Sequence, residues 1–343
     1  MSKSYYAAAN TGNGFNSLFD SIFSAEELSR LYIIKGGPGT GKSTFIRSIG
    51  DAAEMRGLEA EYYYCSADTD SLDGVKIPSL GVAVIDGTSP HSTDPRYPGA
   101  CETIVNLCDN FDTEKLRQNR AEIAVLTNEC SACYKRASRY LRAAGEAERM
   151  RLEVAGRAFD TAKARAAAER LLGQIKPCGG AYSEKYISAI GAKGASHIEN
   201  PIDKGEKRVC IKGKYGFDKL FLRVLCKCAE EGGYTVTRFP DVLLHDYTEA
   251  VYIAEAQTFY SVSDESETEI NAHRFVKNEV LCENRGKLRF AEKCRESLVE
   301  GAVLELREMG KNHDALEKYY VSAMDFSSSR VMQTKVENEI FGL

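Results

Sequence analysis

The sequence predicts an α/β fold built twice, as two parallel-sheet units from an internal duplication, each followed by a helical hairpin. Three observations predict it. Leu31-Tyr32-Ile33-Ile34 is an apolar strand that runs into a glycine-rich turn, and then into a helix with apolar residues at Phe45, Ile46, Ile49, Ala52 and Ala53. A degraded copy of this strand, turn and helix starts about 177 residues later, over 208–221. A long run of helical character follows each unit. The expected division of the chain is 1–176 and 177–343.

The turn reads Gly36, Gly37, Pro38, Gly39, Thr40, Gly41, Lys42, Ser43, Thr44. Gly36, Gly41, Lys42 and Ser43 meet the spacing G-x-x-x-x-G-K-S of a phosphate-binding loop. Glycines let backbone N–H groups turn inward without side-chain clash, and the positive end of the following helix faces the phosphates. In that chemistry Lys42 reaches the β- and γ-phosphates, Ser43 offers its hydroxyl to Mg²⁺, and Thr44 reaches the α-phosphate. Pro38 stiffens the loop, and Gly57 stops the helix. Each unit is thus expected to be P-loop NTPase-like. The chain has no N-K-x-D guanine-reading motif, so ATP is the expected nucleotide.

A second strand is expected over 59–65 and a third over Val82-Ala83-Val84-Ile85, ending in Asp86. A strand-end carboxylate here is expected to hold magnesium; the alternative is an aspartate that caps the Asp86-Gly87 turn. Ligands of parallel α/β sheets gather at the carboxyl ends of strands. That places two more segments near the nucleotide. One is 66–73, where Asp68 and Asp70 either meet a substrate or belong to a solvated turn. The other is 88–91, where His91 either orients a water or senses the γ-phosphate, or else has no role. Gly87, not a glutamate, follows Asp86, so slow turnover is expected.

In the second copy Lys212, Gly213, Gly216 and Lys219 fall under Lys35, Gly36, Gly39 and Lys42. Asp218 falls under Gly41 and Leu220 under Ser43, while Val251-Tyr252-Ile253 leads to Glu255, roughly where Asp86 sits. Asp218 puts negative charge and a Cβ where phosphate oxygens belong, and Leu220 removes the metal-binding hydroxyl. The second loop is expected to bind ATP poorly or not at all. Outside the loops, Tyr6, Ala9 and Gly14 pair with Tyr186, Ala189 and Gly194. Leu141, Arg142, Gly145 and Asp160 pair with Leu306, Arg307, Gly310 and Asp325.

The first helical run, 113–175, carries a seam of Ile123, Leu126, Cys130, Cys133, Ala137, Tyr140 and Ala144, with Gly145 and Gly156 as candidate breaks. Segments 285–309 and 314–341 give the second pair. Arginines and glutamates interleave on the first run, as on a solvated helix face. The sharper alternative is that Arg136 or Arg139 reaches the γ-phosphate.

A net charge of −5 gives no general pull toward nucleic acid or an anionic membrane. Neither a signal-peptide pattern nor a membrane-spanning run stands out, so a cytoplasmic location is expected. The 11 cysteines read as small packing residues in a reducing compartment.

Five stretches then carry a resemblance: NTGNGF (10–15), IKGGPGTGKST (34–44), CSADTDSLDGVKIP (65–78), VAVIDGTSPHSTDPRYPGA (82–100) and HDALEKYYVSAMDF (313–326). Together the chain resembles the bacterial tandem P-loop ATPase family, in which two ATPase-like halves share one polypeptide. Members often keep a recognisable second loop, from which Asp218 and Leu220 depart. The resemblance implies an ATPase and supplies no substrate. Expected alternatives are a small-molecule or nucleotide kinase, and an ATP-gated module that captures a protein or small-molecule partner with little turnover.

Overall fold

A computed structural model describes residues 2–199, 201–262 and 268–342. The first half runs β1 (Lys3–Tyr6), β2 (Ala8–Thr11), β3 (Gly14–Ser17), α1 (Phe19–Ile22), β4 (Arg30–Lys35), α2 (Lys42–Met55), β5 (Glu61–Tyr64), β6 (Leu72–Ile77), β7 (Val82–Asp86), β8 (Glu102–Asn106), α3 (Thr113–Gln118), α4 (Arg120–Ala158) and α5 (Thr161–Leu172). The second runs β9 (Tyr182–Glu184), β10 (Ser188–Gly191), β11 (Gly194–His197), β12 (Lys207–Lys212), α6 (Phe217–Glu231), β13 (Val236–Pro240), β14 (Thr248–Ile253), β15 (Thr258–Ser261), β16 (Thr268–Asn271), α7 (Asn278–Ser322) and α8 (Phe326–Phe341).

Two six-stranded sheets result, ordered β1-β5-β6-β7-β4-β8 and β9-β13-β14-β15-β12-β16. They match strand for strand, so the duplicated α/β arrangement is present. The sheets are mixed where parallel sheets were expected. β6 and β14 each run antiparallel to both neighbours. The links 65–71 and 78–81 are too short for a parallel crossover, which takes about a dozen residues or more. The segment 66–73, expected as a loop, therefore ends inside a strand.

Each sheet is buried on both faces. Leu31, Ile33, Ala83 and Ile85 enter a core shared with Phe239, Ala250 and Phe259 of the other sheet. The alternate residues Tyr32, Ile34, Val82 and Val84 face α2. On the outside of the second sheet, Val209, Ile211, Val251 and Ile253 meet α6.

The last helix of each half packs on the other half. Ala164, Ala168 and Leu172 of α5 complete the core of the second sheet, and Val336 of α8, with Met332 and Ile340, completes that of the first. The crossings are matched. The Asp160 N–H donates to the Phe275 carbonyl at 2.7 Å, and the Asp325 N–H to the Asn110 carbonyl at 2.9 Å. Both aspartates also cap the helices they start.

Among the described residues no helical hairpin forms within a half, contrary to expectation. α4 and α7 are unbroken helices of 39 and 45 residues that pair with each other. Ala137, Leu141 and Ala144 meet Ala302 and Leu306 there. Gly145 is no break. A Cβ on it would lie 2.9 Å from the Cα of Gly12, so glycine permits the β2–β3 hairpin to touch α4. Among the described residues, no helix is long and apolar enough to cross a membrane.

Candidate functional site

The turn between β4 and α2 is shaped by glycine. Gly39 and Gly41 hold φ of +66° and +85°, and Gly41 caps α2 in the left-handed region. A Cβ at Gly36 would meet Thr40 Oγ1 at 2.5 Å. Lys42, the first helical residue, folds its side chain back over the turn. Its Nζ donates to the carbonyls of Gly36 at 3.0 Å and Gly37 at 2.8 Å, and stands 3.7 Å from Asp86 Oδ2. Among the described residues, the N–H groups of Gly41, Lys42, Ser43 and Thr44 meet no protein acceptor, as at a helix start. The Ser43 hydroxyl accepts from the Leu72 N–H at 2.9 Å, and Thr44 is exposed. Pro38 is half-buried in the turn.

β7 pairs in parallel with β4, setting Asp86 opposite Ile34 beside the turn. Asp86 Oδ1 accepts from the Thr88 N–H and hydroxyl at 2.9 and 2.6 Å. Burial pushes its carboxyl above the ordinary range, against the pull of Lys42 and Thr88. Behind it lies His91, 8% exposed and stacked on Phe19 at 4.4 Å. Its Nδ1 is 3.0 Å from the Asp86 carbonyl oxygen, and its Nε2 is 3.3 Å from Asp73 Oδ2. With an oxygen acceptor at each nitrogen, the imidazolium is favoured. Burial alone would lower its pKa; the Asp73 and Asp86 carboxylates outweigh that and raise it. The structure thus places His91 behind the metal-candidate carboxylate, away from the surface.

Asp73, buried on β6, is a partner that the sequence does not reveal, because its segment reads as a loop. Asp68 accepts from the Ser71 hydroxyl in an exposed turn, and Asp70 pairs with Lys193 of the second half. Lys35 binds the carbonyls of Gly87 and Thr93 and so ties down the chain after Asp86. A cleft of about 550 Å³ adjoins this region, lined by Arg47, Tyr64, Thr69 and Asp70 from the first half and by Ser196 and His197 from β11. A second hollow, of about 570 Å³, runs along α8 at Arg330, Thr334 and Asn338 and includes none of the turn residues.

The C-terminal turns of α7 cover the glycine turn. Glu317 Oε1 accepts from the Gly39 N–H at 3.1 Å. Tyr320 packs by Gly37 and meets Phe111 in a tilted arrangement, with ring centroids 5.6 Å apart. His313, Asp314 and Glu317 present ligand atoms within 4.8 Å of one another. Nothing in the sequence marked Glu317 except its place in the stretch 313–326; by composition it belongs to a solvated helix face.

The second turn is built differently. α6 starts at Phe217 behind a left-handed Gly216, so this turn is two residues shorter than the first. The ungapped alignment therefore fails across the turn: Gly216 takes the capping place of Gly41, and buried Phe217 takes that of Lys42. A Cβ at Gly213 would lie 2.5 Å from the Asp218 nitrogen, so the turn is closed on the helix. Lys219 lies two residues further into the helix and pairs with Asp241 at 2.6 Å and Glu148 at 3.0 Å. Burial penalises the Glu148 charge, and Lys219, Arg151 and Arg295 together still bring its pKa down to about 2.

Glu255 does not match Asp86. Val251 and Ile253 belong to β14, the counterpart of β6, and Glu255 sits in the short turn that follows. Cys210 pairs with Ser261 as Ile33 pairs with Ile85, so Val262 stands in the place of Asp86. The lid arginines lie elsewhere too: Arg136 pairs with Glu305 of α7 at 2.8 Å, and Arg139 is exposed. Arg151 is the arginine of α4 that approaches a glycine turn, and that turn is the second one.

In comparisons with known proteins, no family model, no curated protein and no solved structure matches the chain.

Proposed function

We propose that the chain is a Mg²⁺-dependent ATP-binding protein, an ATPase with one active P-loop at residues 36–44. One observation carries this reading: Lys42 bridges the two ends of a glycine turn beside Asp86, at a helix start with free N–H groups. Such a cradle suits the oxygens of a polyphosphate. A carboxylate oxygen, that of Glu317, already sits on one of its amides, which supports an anionic ligand there.

Ser43 and Asp86 would hold the metal, which supplies charge neutralisation at the phosphates. The donors fit. Asp86 is a buried carboxylate raised by desolvation, with Asp73 adding negative charge, and a dication relieves both. Lys42 would hold phosphate oxygens, and His91 would act through Asp86 as a positioning residue. Gly87, not a glutamate, follows Asp86, consistent with slow turnover. The second turn has neither an open cradle nor an acid at Val262, which supports a single site.

The cleft at Arg47 favours a second reading, transfer to a small acceptor. Arg47 is one helical turn beyond Ser43, and Thr69 and Asp70 lead directly into Leu72, which binds Ser43. Release of ADP and phosphate from Mg·ATP tests both readings. Turnover is expected in wild type and to fall on the order of 100-fold in Lys42→Ala. Stimulation by an acceptor, lost in Arg47→Ala, supports the kinase. Equal rates in wild type and Lys42→Ala overturn the assignment.

A further inference from the structure

The two long helices treat their glycine turns alike and yet differently. The spacing that pairs Leu141 with Leu306 also pairs Leu152 of α4 with Glu317 of α7. Leu152, 1% exposed, packs against Gly216 of the second turn, where the buried Glu148–Lys219 pair fixes α4 in place. On the first turn the same helical position presents a carboxylate, which binds the Gly39 amide. One turn is plugged by a buried hydrocarbon; the other is capped by an acid that water and anions can replace.

The α7 cap leaves no space at Gly39. A Cβ there would lie 2.7 Å from Val321 Cγ2 and 3.3 Å from the Glu317 carbonyl oxygen, and one at Gly37 would lie 3.1 Å from the Tyr320 ring. A phosphate oxygen bound at the Gly39 amide would take the place of Glu317 Oε1 and meet the Glu317 charge. The covering side chains reach solvent, since Val321 is 45% exposed and Glu317 is half-buried. Beside Glu317, among the described residues, stand His313, with Nδ1 at 3.9 Å, and Asp314.

We propose that Glu317 is an internal stand-in for nucleotide phosphate: phosphate and the Glu317 carboxylate compete for the Gly39 amide, and binding lifts the last turns of α7 from the loop. This rests on the nucleotide reading and adds its regulation. α7 continues without a break along α4, and α8 returns to the core beside α2. Occupancy of the loop is thereby transmitted to the helix pair and to the crossing between the halves. Glu317 sets affinity by competition and takes no part in chemistry.

The test uses the full chain as wild type, Glu317→Gln and Glu317→Ala, titrated with Mg·ATP and with pyrophosphate, while amide exchange is followed over 313–322. Glutamine keeps the size and the acceptor oxygen and removes the charge, so it guards against a folding defect. Competition predicts affinity about 10-fold tighter in both variants. It also predicts exchange over 313–322 that rises with nucleotide in wild type and is already high in Glu317→Ala. Unchanged or weaker affinity in the variants, or exchange that falls with nucleotide, overturns the proposal and leaves the nucleotide reading intact. Failure of all three folded proteins to bind ATP or pyrophosphate overturns the reading and the proposal together.

Discussion

Tyr6 and Tyr186 bind each other through their backbones: the Tyr6 N–H donates to the Tyr186 carbonyl at 2.8 Å, and the Tyr186 N–H to the Tyr6 carbonyl at 3.0 Å. Both rings are buried, with Ala9 and Ala189 beside them. This pair is the centre of the duplication, where each half offers the other the same residue. α5 and α8 repeat the relationship at the periphery.

The halves are therefore interdependent. A fragment of residues 1–176 lacks α8, which packs against α2 and completes the first core, and leaves α5 without α6, the helix it packs on. We expect that fragment to show no cooperative thermal unfolding when expressed alone. A sharp transition in a monomeric fragment would contradict the exchange.

The two lysines have different parts. Lys42→Ala is expected to abolish nucleotide binding with little change in urea stability, because Lys42 bonds carbonyls at a partly open site. Lys219→Ala leaves the buried Asp241 without its cation and Glu148 with Arg151 and Arg295 alone, and we expect a loss of about 3–5 kcal/mol. Nucleotide stoichiometry in the surviving folded protein should stay the same. Parallel urea melts and binding titrations on the two variants measure this, and reversed effects would contradict it.

His91 ties stability to pH. Its pKa is raised in the fold above the ordinary value of 6.5. The stabilisation is then fully present below that value and is lost as pH rises through the folded pKa. We expect the urea midpoint of wild type to decline across this window, and a shallower slope in His91→Gln. Identical slopes would show that folding leaves the His91 pKa unchanged and would contradict this.

Gly145 makes a packing prediction. Alanine there must push against the Gly12 Cα, so Gly145→Ala should cost about 1–3 kcal/mol, although alanine is the better helix former. Gly156→Ala, with nothing within 4 Å, should be neutral or stabilising. Thermal melts of the two variants check the contrast.

Much of this was legible locally. The strand–turn–helix of 31–55 follows from the alternation of Leu31 and Ile33 with Tyr32 and Ile34, then from helical spacing at Phe45, Ile46 and Ile49. The caps Asp160 and Asp325 showed as a repeated pair. β6 was missed because Asp73, Gly74 and Lys76 interrupt its apolar pattern, although Asp73 is buried against His91. The two-residue difference between the turns was hidden because Gly216 and Lys219 still fell under a glycine and a lysine. The exchange of α5 and α8 left no local trace, since periodicity shows that a helix has an apolar face and not which core receives it. Glu317 was hidden for a related reason: a charged residue on a long helix gains its meaning only from the backbone amide it meets.

The central claim is that one loop grips a triphosphate. Calorimetric titration of Mg·ATP onto wild type and Lys42→Ala puts it to the test. One site per chain in wild type and none in Lys42→Ala is the expected result. Two sites per chain, or undiminished binding in Lys42→Ala, would contradict it.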